Sequence, residues 1–443
     1  MKRLSLLLTI VLGSPVIHAA DLISVYREAQ TRDAVYASAR AAYQAGLEKL
    51  PQGRSLLLPT INLNANTTYN EVDTQYRGNT SGVLASGKRK YNTNGYTLTL
   101  NQPIYHKQNF AQYQQAKSQV TQAEAQFAIA QQDVILRVSQ AYFDVLQAQD
   151  NLAFSGSQKA AISEQLAQAK RNFEVGTSTI TDTHEAQARF DLTTAQEIAA
   201  QNDLEIKRSA LQRVIGTTPD KLLPLGGTLP LTVPEPNNVD QWIANAEQKN
   251  YQLRIQEAAV EIATQEVERN RAGHYPTLDM VATYGDNSAS SGAFGVGSDT
   301  QSKTIGLQLY LPIYQGGAVN SRVREALALQ ERSRQDLEDM KRQIALQTRQ
   351  AFLGVTSGSA QVKALEQALL SNQSSLDSTK LGFEVGVRTS VDVLNAQQQL
   401  FSAKRDLAQA RYNYIQSQLK LRASVGSLAE PDIEQVNQWL TNK

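Results

Sequence analysis

The sequence predicts an α+β membrane protein in which several chains share one β-barrel continuous with a helical tube, each chain being an internal duplication. Three observations predict it: four stretches that alternate polar and apolar residues, two long helical tracts free of proline, and a short turn segment that occurs twice.

The 443-residue chain opens on Met1-Lys2-Arg3, an apolar stretch from Leu4 to Leu12, Ser14-Pro15, and the small pair Ala19-Ala20. That order makes residues 1–19 a secretory signal, cut after Ala19 or Ala20. With no cysteine anywhere, a lipid-modified N-terminus, disulfides and thiolate metal sites are excluded. A formal net charge of +1 leaves no electrostatic footprint for nucleic acid. Beyond the signal no apolar run of about 18 residues occurs, so no membrane helix is expected.

The first alternating stretch has Thr60, Asn62, Asn64, Asn66, Thr68 and Asn70 at even positions. Ile61, Leu63, Ala65, Thr67 and Tyr69 hold the odd ones. A period of two with one apolar face is a strand with a dry and a wet side. Tyr96, Leu98 and Leu100 alternate with Thr97, Thr99 and Asn101; Ile305, Leu307, Leu309 and Leu311 alternate with Thr304, Gly306, Gln308 and Tyr310. The stretch from Leu278 to Tyr284 is weaker, because Val281 stands among its polar positions. Strands are expected over 59–72, 91–105, 276–287 and 303–315. The pattern suits a transmembrane barrel, with Tyr69, Tyr105, Tyr284 and Tyr314 in its interfacial aromatic girdles. Known barrels begin at about eight strands, so four per chain require several copies to share one. A soluble β-sandwich edge is the alternative for the strands alone.

Long helices are expected over 106–174 and 317–384, each able to reach about 100 Å. Gly354 and Gly358 weaken the second without forbidding it. Ile135, Val138, Tyr142, Val145 and Leu152 fall on one heptad seam. Beyond Asp392, Val393, Leu400, Leu407, Tyr414 and Leu421 stand seven apart, and Ala396, Ala403, Ala410, Ser417 and Ser424 follow three places later. Large residues on one seam position and small ones on the other let antiparallel helices approach closely. The remaining faces are rich in Gln, Asn, Ser, Arg and Glu and meet water.

The repeat orders these elements. Val175-Gly176-Thr177-Ser178-Thr179-Ile180-Thr181-Asp182 returns as Val385-Gly386-Val387-Arg388-Thr389-Ser390-Val391-Asp392, and Gln102-Pro103-Ile104-Tyr105 as Leu311-Pro312-Ile313-Tyr314. The expected first repeat spans 20–216: a helix, two strands, the long helix, a tip at 175–182 and a helix over 183–215. A Pro/Gly-rich joint covers 217–238. The second repeat, 239–426, has its tip at 385–392 and a closing helix over 393–425, before a C-terminal segment 427–443.

Several motifs carry a wider likeness: Leu311-Pro312-Ile313-Tyr314-Gln315-Gly316-Gly317, Gly273-His274-Tyr275-Pro276-Thr277-Leu278-Asp279, Ala141-Tyr142-Phe143-Asp144-Val145-Leu146, Ala410-Arg411-Tyr412-Asn413-Tyr414 and both tip segments. In these the chain resembles the TolC family of trimeric outer-membrane efflux ducts. The resemblance implies a homotrimer in the outer membrane of a Gram-negative cell, surrounded by outer-membrane lipid. Its twelve-stranded β-barrel would continue into a twelve-helix periplasmic α-barrel, with a mixed equatorial belt formed by the joint and the C-terminal segment. The implied function is a passive exit duct for efflux and type I secretion, passing drugs, toxic compounds or proteins. Its implied partners are a periplasmic adaptor (membrane fusion) protein and an inner-membrane pump of RND, ABC or MFS type. From the residues alone, a periplasmic coiled-coil adaptor or structural protein stays open as the alternative.

The resemblance also assigns roles at the tips, where Gly176 and Gly386 make the turns. Asp392 matches an aspartate that rings the entrance constriction; Asn395 stands where the nearest relatives place a second acidic ring, so six carboxylates become three. Asp392 also suits capping of the helix it opens, and the two roles are compatible. Arg388 matches an arginine that latches the inner hairpin to the outer one, with Thr181 and Asp182 as matching partners. Phe383 replaces a tyrosine bonded to the residue matching Asp182, and Phe cannot make that bond.

Gly82-Val83-Leu84-Ala85-Ser86-Gly87-Lys88 has phosphate-loop spacing, but Arg89 replaces the needed Ser/Thr and strands flank it on both sides. It reads as an external loop within Glu71 to Tyr91, carrying Lys88-Arg89-Lys90; a second such loop is expected from Asp286 to Ser302. His106, His184 and His274 lack ligand spacing. No catalytic, metal or cofactor site is expected, and no enzyme.

Overall fold

The computed structural model describes residues 20–77, 86–217, 221–227, 229–292 and 296–440. The expected signal, 1–19, and residues 82–85 of the phosphate-loop look-alike lie outside them. The elements, in chain order, are α1 (Leu22–Arg32), α2 (Ala34–Leu47), α3 (Lys49–Ser55), β1 (Thr60–Thr74), β2 (Gly87–Tyr105), α4 (Lys107–Glu174) and α5 (Ile180–Ile215). There follow α6 (Val239–Lys249), α7 (Tyr251–Arg271), β3 (Thr277–Ala289), β4 (Ser298–Tyr310), α8 (Ala318–Glu384), α9 (Ser390–Ser424) and α10 (Glu430–Asn437). Where one helix is expected before β1, three occur. Asp33 breaks the run: its backbone is extended, and its carboxylate takes the Val35 N–H at 3.0 Å and the Arg137 guanidinium at 2.6 Å.

One unit, Ala41–Phe127 with Tyr251–Lys341, holds an antiparallel sheet in the order β1-β2-β3-β4. The register gathers the apolar positions on one face. Ile61 lies opposite Leu100, Leu100 opposite Ala282, and Ala282 opposite Ile305; Met280 faces Leu307 and Leu278 faces Leu309. Val281, the odd residue of its strand, pairs on the other face with Asn101 and Gly306. On the outer strands no described residue covers the apolar stripe: Ile61 is 64% exposed and Ile305 76%. Among the described residues neither β1 nor β4 pairs on its outer side. At the base of the sheet, His106 Nε2 lies 2.9 and 3.0 Å from the two Asp279 oxygens, which holds the start of α4 to β3.

Three strand boundaries differ clearly from expectation. β2 begins at Gly87, so Lys88, Arg89 and Lys90 belong to a strand and not to a loop. Glu71 faces Lys90 and Asp73 faces Lys88 across the ladder, and opposite charges there favour pairing. β4 begins at Ser298, which likewise shortens the second expected loop, and ends at Tyr310, before Pro312, which has no N–H for the ladder. The matching Pro103 stays within β2 because a register shift between Pro103 and Tyr105 absorbs it.

The other unit comprises the residues up to Arg40, Ala128–Asn250 and Arg342–Lys443. Its core follows the seven-residue stripe of α9: Val393, Leu400, Leu407, Tyr414 and Leu421 are all buried, as are Ile135, Val138, Tyr142 and Val145 of α4. Two buried tyrosines tie the irregular joint to the helices. Tyr142 Oη donates to a carbonyl, with Leu223 O at 2.8 Å and Ala20 O at 3.2 Å; Tyr414 Oη lies 2.8 Å from Thr232 O. Burial raises the Tyr142 phenol far above its ordinary value, so it stays a donor. Isolated bridges join Ala20 to Leu222 and Leu225 to Leu440, tying Ala20 and Leu440 to the joint.

Candidate functional site

Both hairpin tips turn by one device. α4 ends as the Gly176 N–H bonds Phe173 O at 3.0 Å and the Thr177 N–H bonds Asn172 O at 2.8 Å. α8 ends with Gly386 on Phe383 at 3.0 Å and Val387 on Gly382 at 2.8 Å. Gly176 and Gly386 have φ of 80° and 81°, a left-handed conformation that a Cβ would strain.

The next helix then starts on a capping box. Thr179 Oγ1 accepts the Asp182 N–H, and Asp182 Oδ2 accepts the Thr179 N–H at 3.0 Å. Thr389 and Asp392 repeat this at the second tip, with the Thr389 N–H at 2.9 Å. The Thr389 backbone N–H, then its hydroxyl, hold the Asp392 carboxyl below its ordinary value, and the Arg388 charge adds to this. Asp392 is thus a cap that keeps its negative charge.

Arg388 is exposed, and among the described residues its guanidinium meets neither Thr181 nor Asp182 of the same chain. Its stem lies over Gly382, where a Cβ would stand 2.7 Å from Arg388 Cγ. Thr181 is exposed. Phe383 and Asp182 do come together: both line a cavity of about 260 Å³ between the tips, with Gln165, Asn172 and Thr389. The Phe383 ring packs against the buried cluster of Leu376, Val393, Ala396 and Leu400, so it serves the inner hairpin's core.

The Asn395 side chain meets the outer hairpin. Its Oδ1 accepts from Arg189 Nη2 at 2.9 Å, and Arg189 Nη1 donates to Gln398 Oε1. Sequence reasoning missed Arg189 and Gln398. The available signal was the i, i+3 spacing of two amides on α9, which puts them on one face.

On the sheet, Tyr69 closes the apolar stripe of β1 before Glu71, and Tyr284 closes that of β3 before Asp286. Tyr96 does the same on β2, with its ring centroid 6.2 Å from that of Tyr284. Tyr105, opposite Leu278, stands at the other end. From Ile61 to Tyr69 the stripe spans about 26 Å of strand, comparable to the apolar band of an outer-membrane barrel. Tyr314 lies beyond the end of β4 and is 86% exposed, so no strand positions it.

No helix among the described residues is long and apolar enough to cross a membrane. No group of His, Cys, Asp or Glu among them could hold a metal ion. An open-edged antiparallel sheet with a bare apolar stripe suits a sheet that faces lipid and pairs with further strands. The chain belongs to the outer membrane efflux protein family, whose model matches residues 25–217 and again 242–427. It is 35% identical to the outer membrane protein TolC of Vibrio cholerae over 99% of this chain and 98% of that one. It is 32% identical to the proteases secretion protein PrtF of Dickeya chrysanthemi, over 99% and 96%. The crystal structure of the Campylobacter jejuni CmeC outer membrane channel shares the fold, with a TM-score of 0.79 at 16% identity over 95% of this chain and 90% of that one. The protein is therefore an exit duct of the Gram-negative outer membrane, in a family of channels.

Proposed function

We propose that three copies close their sheets into a twelve-stranded barrel and pair their hairpins into a twelve-helix periplasmic tunnel. The observation that carries this is the sheet itself: its two outer edges are unpaired, and its apolar stripe is uncovered. Free edges of 15 and 13 residues are templates for pairing, and closure removes them. The double match to one family model and the shared hydrogen-bond pattern of the tips support internal duplication, with repeats over 20–216 and 239–426.

The tips form the periplasmic entrance in this reading. Three Asp392 carboxylates ring the mouth and favour cations. Arg388 finds no acceptor on its own chain's outer tip, which supports a latch to Thr181 and Asp182 of a neighbouring copy. Such an exposed pair is worth about 0.2–1 kcal/mol, weak enough for a docking adaptor to break. Drugs, toxic compounds or secreted proteins then pass from an inner-membrane pump of RND, ABC or MFS type; the duct performs no chemistry. Native mass measurement in detergent with planar-bilayer recording tests this: a three-chain, conducting species is expected. A soluble, non-conducting single chain overturns it in favour of a periplasmic structural protein.

A further inference from the structure

Asn395 stands one turn beyond Asp392, yet its side chain is engaged by the other hairpin. Three observations converge on that contact. The Arg189 guanidinium on α5 forks across to α9, one arm on Asn395 Oδ1 at 2.9 Å and the other on Gln398 Oε1. Glu185, one turn before Arg189, lies 3.8 Å from it and holds the fork from behind. Leu394 beside Asn395 is buried with Ile162, Leu166, Ala169 and Ala186 of the outer hairpin. Val393, Ala396 and Leu400, in contrast, pack on Leu376 of α8. The start of α9 therefore has one face for each hairpin, and Asn395 belongs to the outer one.

We infer that Arg189, Asn395 and Gln398 form a clasp that holds the two hairpins of one chain together behind the entrance and withdraws Asn395 from the charge of the mouth. This rests on the reading of the tips as the entrance. The chemistry suits a reversible contact. A planar guanidinium satisfies two carbonyl oxygens at once with directional bonds. Both acceptors are neutral and α9 exposes them, so water replaces the bonds readily when the hairpins part. An aspartate at position 395 would pair with Arg189 and would not restore a second acidic ring.

Two readouts test the clasp separately from conduction. The first is the distance distribution between spin labels on Ala188→Cys of α5 and Gln399→Cys of α9 in the full-length protein. Arg189→Ala is expected to broaden it and lengthen it by several ångströms; Arg189→Lys, with a single ammonium that cannot fork, should give an intermediate result. The second is block of reconstituted channels by hexamminecobalt(III). Asn395→Asp alone is expected to change the blocking concentration less than two-fold. Arg189→Ala with Asn395→Asp frees the new carboxylate and should lower it about ten-fold. An unchanged distribution in Arg189→Ala overturns the clasp, as does an Asn395→Asp block as strong as the double variant's. A wild-type protein that gives a narrow distribution but no conductance overturns the duct reading and leaves the clasp standing.

Discussion

Thr389→Ala is the most direct probe of how the inner tip is built. The Thr389 hydroxyl accepts the Asp392 N–H at 3.2 Å and donates to Asp392 Oδ2 at 2.9 Å. Removing it leaves an N-terminal N–H of α9 without its cap and leaves Asp392 with the Thr389 backbone N–H alone. Loss of a threonine cap costs about 1 kcal/mol. The cost falls on the first turn of α9, because Leu394 and the residues beyond it are held by buried contacts. About 1 kcal/mol raises local opening roughly five-fold. Hydrogen exchange over 390–394 in the detergent-solubilised protein should therefore quicken about five-fold, with the rest of α9 unchanged. Thr389→Ser, which keeps the hydroxyl, should exchange like wild type. Thr179→Ala should match Thr389→Ala at its own tip, since its bonds have nearly the same lengths. Equal exchange in Thr389→Ala and wild type, or equal losses in the Ala and Ser variants, would refute the capping argument.

Three further outcomes are expected. The depressed Asp392 pKa means that its charge, and the cap it makes, are fully present above the ordinary carboxyl value of 3.8 and fade only as pH falls below it. Multivalent-cation block in bilayers should accordingly persist from pH 7 to pH 4.5; loss between pH 6 and 5 would contradict this. Gly382→Ala places a methyl against the Arg388 stem, so it should displace the guanidinium and raise resting conductance, whereas the exposed Glu384→Ala should not. Leu307→Arg puts a charge on the apolar stripe at a cost of about 2–4 kcal/mol near the bilayer midplane. Gln308→Arg lies on the opposite face, across from Asp279. Assembled protein in the membrane fraction should fall sharply for the first and little for the second.

Much of this molecule can be read along the chain. The alternation of Ile61, Leu63 and Tyr69 with asparagines, and the seven-residue spacing of Val393 to Leu421, are properties of single elements. A strand repeats every two residues and a helix about every 3.6, so a stripe of like residues declares the element and its buried face. The tip turns are equally local: a Gly, two residues and a Thr, with Asp three residues after the Thr, contain their own cap. Strand ends were less legible. Lys88, Arg89 and Lys90 look like a polar loop until Glu71 and Asp73 are placed opposite them. Pro103 and Pro312 sit in matching motifs, yet one is absorbed by a bulge and the other ends its strand.

What the sequence by itself determined was the kind of the long elements, the faces they bury, and the family to which the chain belongs. The tertiary structure alone decided which polar side chains meet. Arg189 and Asn395 lie 206 residues apart, and their contact depends on the rotational phase of α5 against α9. That Phe383 and Asp182 line one cavity was likewise set by how the two hairpins pack. Periodicity is a local property that survives in one dimension. The partner of an exposed amide or guanidinium is set by how two packed helices are turned toward each other, and the outer hairpin holds Asn395 for that reason.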